Sequence, residues 1–314
     1  MRFSRNVSRH MRHALLAGTV AVALVACGGG TSQFEAFVPL RFVAFGDEAS
    51  VLTSDGRKYG VNALTTTDAI DCATEPLWVQ TVANNYGFRF AQCNPDATTP
   101  KAFLRAAPGA KVADLAAQID AQIANGGFTG KDLATVLVGQ NDVLEMYARF
   151  PTLSEAQITT ELRARGEQLA AQVNRLVDLG VKVIVATAPD VGLTPYALAQ
   201  KAAFTDTDRS ALLTRLSAAL NGRMRVNIRN DGRDIGLVLA DEMVQVIVRS
   251  PSSFGLSDAV TAICTTALPN CTSKTLVAST ASGTHLWADS TRMAFGGQNR
   301  LGALALARAV GNPF

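Results

Sequence analysis

Histidine is scarce in this chain, which has three copies among its 314 residues: His10, His13 and His285. Two of them lie near the N-terminus, so His285 is the single histidine of the remaining chain. The sequence also has no C-x-x-C pair, no G-x-S-x-G motif, and no nucleotide or flavin motif. These absences disfavour a zinc site and an α/β-hydrolase nucleophile elbow, and we expect no metal or other cofactor.

A long basic run is absent as well. The formal charge of +3 comes from the N-terminal segment, because residues 1–26 contain four arginines and no acidic residue. The remaining chain holds 25 basic and 26 acidic residues, which gives a net charge of −1. A nearly neutral chain without a basic patch gives no electrostatic reason to expect nucleic-acid binding.

The apolar stretch at residues 14–26 follows a basic N-terminal segment and is too short for a comfortable membrane span. It ends in Leu24-Val25-Ala26-Cys27, which resembles the lipobox of bacterial lipoproteins. The resemblance implies a signal peptide at residues 1–26, a lipidated Cys27, and a flexible tether to residue 37. Since no aspartate follows Cys27, it also implies a lipid anchor in the outer membrane. An ordinary signal peptide cleaved nearby is the alternative.

Four cysteines remain once Cys27 is assigned to lipid, and an even number in an oxidising compartment suggests two disulfides. Three pairings are allowed. We favour Cys72–Cys93 and Cys264–Cys271, because each pair is local in sequence and falls in a loop-like region. A metal site remains the weaker alternative.

Apolar runs alternate with segments of helical periodicity along the rest of the chain. The runs predict strands at Val38–Phe45, Leu133–Val138, Val181–Thr187 and Ile235–Leu239. The periodic segments predict helices at Trp78–Tyr86, Val112–Ile123, Ile158–Leu179, Asp206–Arg229 and Arg300–Val310. Such alternation predicts one α/β domain over residues 38–314, with a central parallel sheet covered by helices on both faces. Binding sites of such sheets lie at the carboxyl ends of the strands, here after Phe45, Val138 and Thr187.

Five short sequence blocks lie along this predicted domain. They are V-A-F-G-D-E-A-S at 43–50, A-P-G-A at 107–110, V-G-Q-N-D at 138–142, P-D-V-G-L-T-P at 189–195 and W-A-D-S-T-R at 287–292. In order and spacing they resemble the blocks of the SGNH (GDSL-type) hydrolases, a family of esterases and lipases. The resemblance covers residues 38–310. The segment S-P-S-S-F-G at 250–255, with two cysteines behind it, resembles the secreted esterase branch of that family.

The resemblance implies a three-layer α/β/α sandwich of the flavodoxin-like type. In the family, a serine after the first strand attacks an ester carbonyl, and a histidine oriented by an aspartate accepts its proton. Carried over by position, Gly109 and Asn141 are the donors of the oxyanion hole, and Asp289 is the orienting acid.

Two positions depart from the family pattern. Glu48 occupies the position of the serine, and Arg292 occupies the position of the histidine. A carboxylate is a much weaker acyl acceptor than a serine hydroxyl, and arginine stays protonated and cannot serve as a general base. His285 lies four residues before Asp289, off the family position, and we interpret it as a structural residue.

The hydroxyl groups of Ser50, Ser290 and Thr291 are interpreted as structural too, because no base accompanies them in sequence.

The two replacements have opposite charges. We therefore hypothesise that Glu48 and Arg292 form a partly buried ion pair, with Asp289 as a second acid on Arg292. Glu48 would then place an oxygen among the Gly109 and Asn141 donors. The alternative is that both side chains extend into solvent without contacting each other.

Three functions are compatible with these residues. The favoured one is a lipoprotein with the SGNH fold, catalytically weakened or inactive, that binds an acyl ester, glycan or protein ligand or has a structural role at the outer membrane. The second is an ester hydrolase in which Asp47, Glu48, Asp142 or Asp289 activates water. The third, an unaltered lipase-like activity, conflicts with the missing serine and histidine.

Overall fold

A parallel sheet lies at the centre of the part of the chain that the structure, a computed structural model, describes: residues 37–94, 96 and 99–311. The strands in these residues are β1 (Arg41–Gly46), β2 (Ala63–Leu64), β3 (Ile70–Asp71), β4 (Ala102–Leu104), β5 (Asp132–Leu137), β6 (Lys182–Ala186), β7 (Ile235–Val238), β8 (Asp258–Ala262) and β9 (His285–Trp287). Five of them form the sheet in the order β4-β1-β5-β6-β7, and every neighbouring pair is parallel. The strand pairs β2–β3 and β8–β9 form two small separate sheets.

The strand order creates a crevice at one edge of the sheet. The chain passes from β1 to β4 on one side and then to β5 on the other side of β1. Connections that leave neighbouring strands in opposite directions open a gap at the carboxyl ends, where doubly wound folds bind their ligands.

Helices cover both faces of the sheet. In the described residues they are α1 (Trp78–Asn85), α2 (Leu115–Ala124), α3 (Gln140–Tyr147), α4 (Glu155–Asp178), α5 (Pro195–Ala203), α6 (Arg209–Asn227), α7 (Ala240–Arg249), α8 (Ala281–Thr284) and α9 (Phe295–Gly311). Helices α4 and α6 begin after capping residues, since Ser154 and Asp208 accept hydrogen bonds from the first turns. In the described part of the chain, none of these helices is long and apolar enough to cross a membrane.

Alternate residues of each strand pack into two different cores. Phe42 and Ala44 of β1 contact the core formed with α1, α7 and α9, whereas Val43 and Phe45 contact the core formed with α2, α4 and α6. Successive strand residues point to opposite faces, so a strand buried on both faces is apolar throughout. The predicted three-layer α/β/α sandwich with a central parallel sheet is confirmed.

Several element boundaries differ from the prediction. Strand β1 begins at Arg41 rather than Val38, and α9 begins at Phe295 rather than Arg300. The prediction omitted β4, α3, α5 and α7, which are between three and ten residues long. The signal peptide, Cys27 and most of the tether lie outside the described residues and stay predictions, as does the predicted domain boundary.

Two disulfides join the favoured cysteine pairs. Cys72 and Cys93 have a Cα–Cα distance of 5.4 Å, and Cys264 and Cys271 have one of 5.7 Å. The first disulfide fixes the segment before α1 to the segment after it. The second joins two cysteines seven positions apart in the segment that follows β8.

Gly166 in α4 allows this helix to approach α6 closely. A Cβ atom added there would overlap the carbonyl oxygen of Leu220 and lie 3.0 Å from the Cβ of Arg223. Gly222 in α6 provides a matched control, because a Cβ added there meets no atom within 4 Å.

We expect Gly166→Ala to lower the free energy of unfolding by about 1–3 kcal/mol, because the two helices must separate. Gly222→Ala should raise it by roughly 0.5–1 kcal/mol through helix propensity alone. Urea denaturation of both variants measures the difference. Equal effects of the two substitutions would contradict the close helix contact.

Candidate active site

Glu48 lies directly after β1, at the carboxyl edge of the sheet. Gly46 has a φ of 125°, and a Cβ atom there would overlap the carbonyl oxygen of Leu137, so this position requires glycine. Glu48 then begins a 3-10 turn, which the Asp47 side chain caps by accepting a hydrogen bond of 3.0 Å from the Ala49 N–H. The sharp turn places Glu48 at the crevice, with 8% of its surface exposed.

Two hydrogen-bond donors from neighbouring strand ends meet the Glu48 carboxylate. Gly109 lies in the loop after β4, and its N–H donates to Glu48 Oε1 at 2.8 Å. Asn141 lies in the first turn of α3, directly after β5, and its Nδ2 donates to Glu48 Oε2 at 2.9 Å. The same Nδ2 also donates to the carbonyl oxygen of Ala110 at 2.9 Å, which ties the two donor segments together.

Arg292 reaches the same carboxylate from the loop between β9 and α9. Its Nη2 lies 3.0 Å from Glu48 Oε1 and donates to Asn141 Oδ1 at 2.9 Å. Its Nη1 donates to Thr291 Oγ1 at 3.1 Å. The Arg292 and Glu48 side chains are 12% and 11% exposed. The predicted partly buried ion pair is therefore confirmed, and the carboxylate receives two hydrogen bonds and faces one cation.

The expectation that Asp289 is a second acid on the Arg292 guanidinium is wrong. Asp289 Oδ1 instead accepts the backbone N–H groups of Thr291 at 2.7 Å and of Arg292 at 2.5 Å. Asp289 thus fixes the turn that carries Arg292, and in the described residues the ion pair of Arg292 is with Glu48.

Comparisons with known proteins agree with this architecture. The sequence profile described as GDSL-like lipase/acylhydrolase matches residues 42–285. The chain belongs to the GDSL-like lipase/acylhydrolase family. No curated protein sequence matches it.

Several solved structures are similar to this GDSL-family chain. The acetyl xylan esterase AlAXEase is 11% identical with a TM-score of 0.44, covering 84% of this chain and 96% of that one. A GDSL-like lipase from Parabacteroides merdae is 12% identical with a TM-score of 0.44, covering 88% and 98%. The acetylxylan esterase Axe2 from Geobacillus stearothermophilus is 13% identical with a TM-score of 0.44, covering 87% and 96%.

In this GDSL-family chain, a network of charges holds the Gly109 loop against α3. Asp142 accepts the Val112 N–H at 2.9 Å and pairs with Arg165 at 3.0 Å. Arg165 also pairs with Glu145, which in turn pairs with Lys111 of the loop at 2.7 Å. The sequence pointed to Asp142 through its motif, but nothing in the sequence marked Arg165 among the many charges of α4.

Two buried glutamines also position the site. Gln118 of α2 accepts the Gly46 N–H at 2.8 Å and donates to the Gly46 carbonyl oxygen at 2.9 Å. Gln140 donates to the carbonyl oxygen of Thr291 at 2.7 Å, which connects α3 to the Arg292 turn. Sequence reasoning missed both residues, because a buried glutamine has no motif of its own.

The Glu48 carboxylate is held in its charged form. Burial raises the pKa of Glu48, but the Arg292 charge and the hydrogen bonds from Asn141 and Gly109 outweigh it and leave the pKa lowered. A carboxylate with a lowered pKa, two hydrogen bonds and a cation beside it is a poor base at neutral pH.

The neighbouring Asp47 behaves in the opposite way. It is 1% exposed, and its Oδ2 has no hydrogen-bond partner. Burial raises the pKa of Asp47 to about 7, against the opposing charge of Arg292 and with a further contribution from Glu48. The pKa values of these two adjacent carboxyl groups are therefore shifted in opposite directions, because burial dominates at Asp47 whereas the Arg292 charge and the hydrogen bonds outweigh it at Glu48.

His285 and Ser50 lie in separate contacts. In the described residues the His285 ring hydrogen-bonds the Thr284 hydroxyl, with 3.1 Å between Nδ1 and Oγ1. The buried Ser50 hydroxyl accepts the Trp78 indole N–H at 3.1 Å. No hydrogen bond among these described residues pairs His285 with a serine.

We expect the raised pKa of Asp47 to make stability depend on pH. The folded state holds this proton more tightly than the unfolded chain, whose aspartate pKa is near 3.9. The contribution of Asp47 to the free energy of unfolding should fall by up to about 4 kcal/mol as pH rises from about 4 to about 7, and then level off.

Asp47→Asn should remove this slope, since an asparagine can still cap the turn with its Oδ1. Urea denaturation of both proteins at several pH values measures the effect. If the free energy of unfolding depends on pH in the same way in the wild type and in the variant, Asp47 is not the source of that dependence.

Proposed function

We propose that this GDSL-family protein does not hydrolyse esters by a serine mechanism, and that it is a lipoprotein of the outer membrane with a binding or structural role. Glu48 lies where the motif of the family has its serine, and Arg292 lies where it has its histidine. Neither side chain can perform the chemistry of the residue that it replaces.

The observation that carries this proposal is that the Glu48 carboxylate already binds the two predicted oxyanion donors. The Gly109 N–H and the Asn141 amide, the family's oxyanion donors by position, both donate to the Glu48 carboxylate. Donors that stabilise a transition-state oxyanion must be free to meet it. Here an internal anion holds them, and Arg292 compensates its charge at 3.0 Å.

A carboxylate-based hydrolysis is the second candidate, and Asp47 is the residue that favours it. A pKa of about 7 and an oxygen without a partner are properties of a general base. Its 1% exposure argues against this role, because an attacking water must reach the base.

The location at the outer membrane rests on the lipobox resemblance at Cys27. A lipid anchor would hold the cleft near a membrane surface. The ligands that we propose for such a cleft are an acyl ester, a glycan or a protein segment.

An assay with short p-nitrophenyl esters tests the absence of catalysis. We expect the wild type to show no hydrolysis above background. The double variant Glu48→Ser/Arg292→His restores a nucleophile and a base and should gain about 10²-fold or more in rate.

The matched control adds Asn141→Ala to that double variant. Loss of one oxyanion donor should then cost roughly 10²–10³-fold in kcat. Hydrolysis by the wild type that disappears in Glu48→Ala or Asp47→Asn would refute the proposal and favour the carboxylate mechanism.

A further inference from the structure

The donors around Glu48 are distributed over both of its carboxylate oxygens. Oε1 meets the Gly109 N–H and Arg292 Nη2, at 2.8 and 3.0 Å, whereas Oε2 meets Asn141 Nδ2 at 2.9 Å. An oxyanion hole directs its donors at one oxygen atom. Two hydrogen bonds, one to each oxygen, and a permanent cation 3.0 Å from one oxygen match a planar carboxylate instead.

Contacts that do not involve Glu48 hold Asn141 in place. Its Nδ2 also donates to the Ala110 carbonyl oxygen, and its Oδ1 accepts from Arg292 Nη2.

The segments that carry Gly109 and Arg292 are held independently as well. Asp142 accepts the Val112 N–H and fixes the loop of Gly109, and Asp289 accepts the Arg292 N–H. The arrangement of donors is therefore built into the strand ends, and it should persist when the Glu48 carboxylate is absent.

We infer that Gly109, Asn141 and Arg292 form a carboxylate-binding site, that Glu48 is its tethered occupant, and that a free organic carboxylate can replace it. The inference rests on the proposed function, because it treats the site as one for binding rather than for catalysis. A tethered group competes at a high effective concentration, so the wild type should bind a free carboxylate weakly.

The site has an open side beside Gly109. A Cβ atom added to Gly109 would meet nothing within 4 Å. A shallow groove of about 430 Å³ starts there, and its lining includes Ala107, Pro108, Ala110 and Ala117. The Glu48 and Arg292 side chains are themselves 11% and 12% exposed, so the site borders solvent.

Thermal unfolding of the full chain with Glu48→Ala tests this inference. Loss of Glu48 leaves Arg292 without its acidic partner, so the melting temperature should fall below that of the wild type. Sodium acetate at about 100 mM should raise it again by roughly 2–4 °C relative to sodium chloride of equal ionic strength. The wild type should show little difference between the two salts.

Two controls make the result specific. The double variant Glu48→Ala/Arg292→Ala should lose the acetate effect, because the cationic donor is gone. In the ¹H–¹⁵N spectrum of Glu48→Ala, acetate should shift the Gly109 amide and the Asn141 side-chain amide. If Glu48→Ala does not fold, Glu48→Ser is titrated in the same way.

Equal responses of the folded variant to acetate and chloride would overturn the inference. A response to sulfate as strong as that to acetate would overturn the assignment to carboxylates. Both results are independent of the ester assay. Hydrolysis by the wild type in that assay would refute the proposed function, whether or not acetate binds to the variant.

Discussion

A carboxylate removed from water needs donors and a counter-charge, and this requirement organises the carboxyl edge of the sheet. Glu48 obtains both from segments that follow three different strands: Gly109 after β4, Asn141 after β5 and Arg292 after β9. Each segment is fixed in turn by a further polar residue: the buried Asp142 and Gln140, or the partly buried Asp289. The hydrogen bonds therefore form one connected network rather than a set of separate pairs.

The sheet topology makes this meeting possible. Because β1 lies between β4 and β5, the loops that follow these strands converge at the crevice of a doubly wound sheet. The β6 end takes no part in the ion pair. Asp190, which follows β6, accepts hydrogen bonds from the Gly192 N–H and from the Gln245 side chain of α7. The carboxyl edge of the sheet thus carries the network around Glu48, which follows β1, and a separate structural network around Asp190, which follows β6.

Sequence reasoning predicted the long buried strands and the long helices, because apolar periodicity is a local signal. It predicted the Glu48–Arg292 pair, whose partners are distant in sequence, because both positions lie in blocks that resemble those of the family and carry opposite charges. Strand β4 was missed because it has three residues. Helix α4 begins after its cap Ser154 rather than at the apolar Ile158, and α6 begins after its cap Asp208 rather than at Asp206. The Asp289 contact was misassigned because sequence spacing does not show which donor a carboxylate meets first. Arg165 and Gln118 were missed because their partners are distant in sequence.

The opposite charges of Glu48 and Arg292 also constrain how the sequence can change. Replacing Glu48 alone leaves a poorly solvated guanidinium, and replacing Arg292 alone leaves a carboxylate without its counter-charge. A single replacement at either position should therefore lower stability. The two positions are coupled across the carboxyl edge of the sheet, so a change at one is tolerated best when the other changes with it.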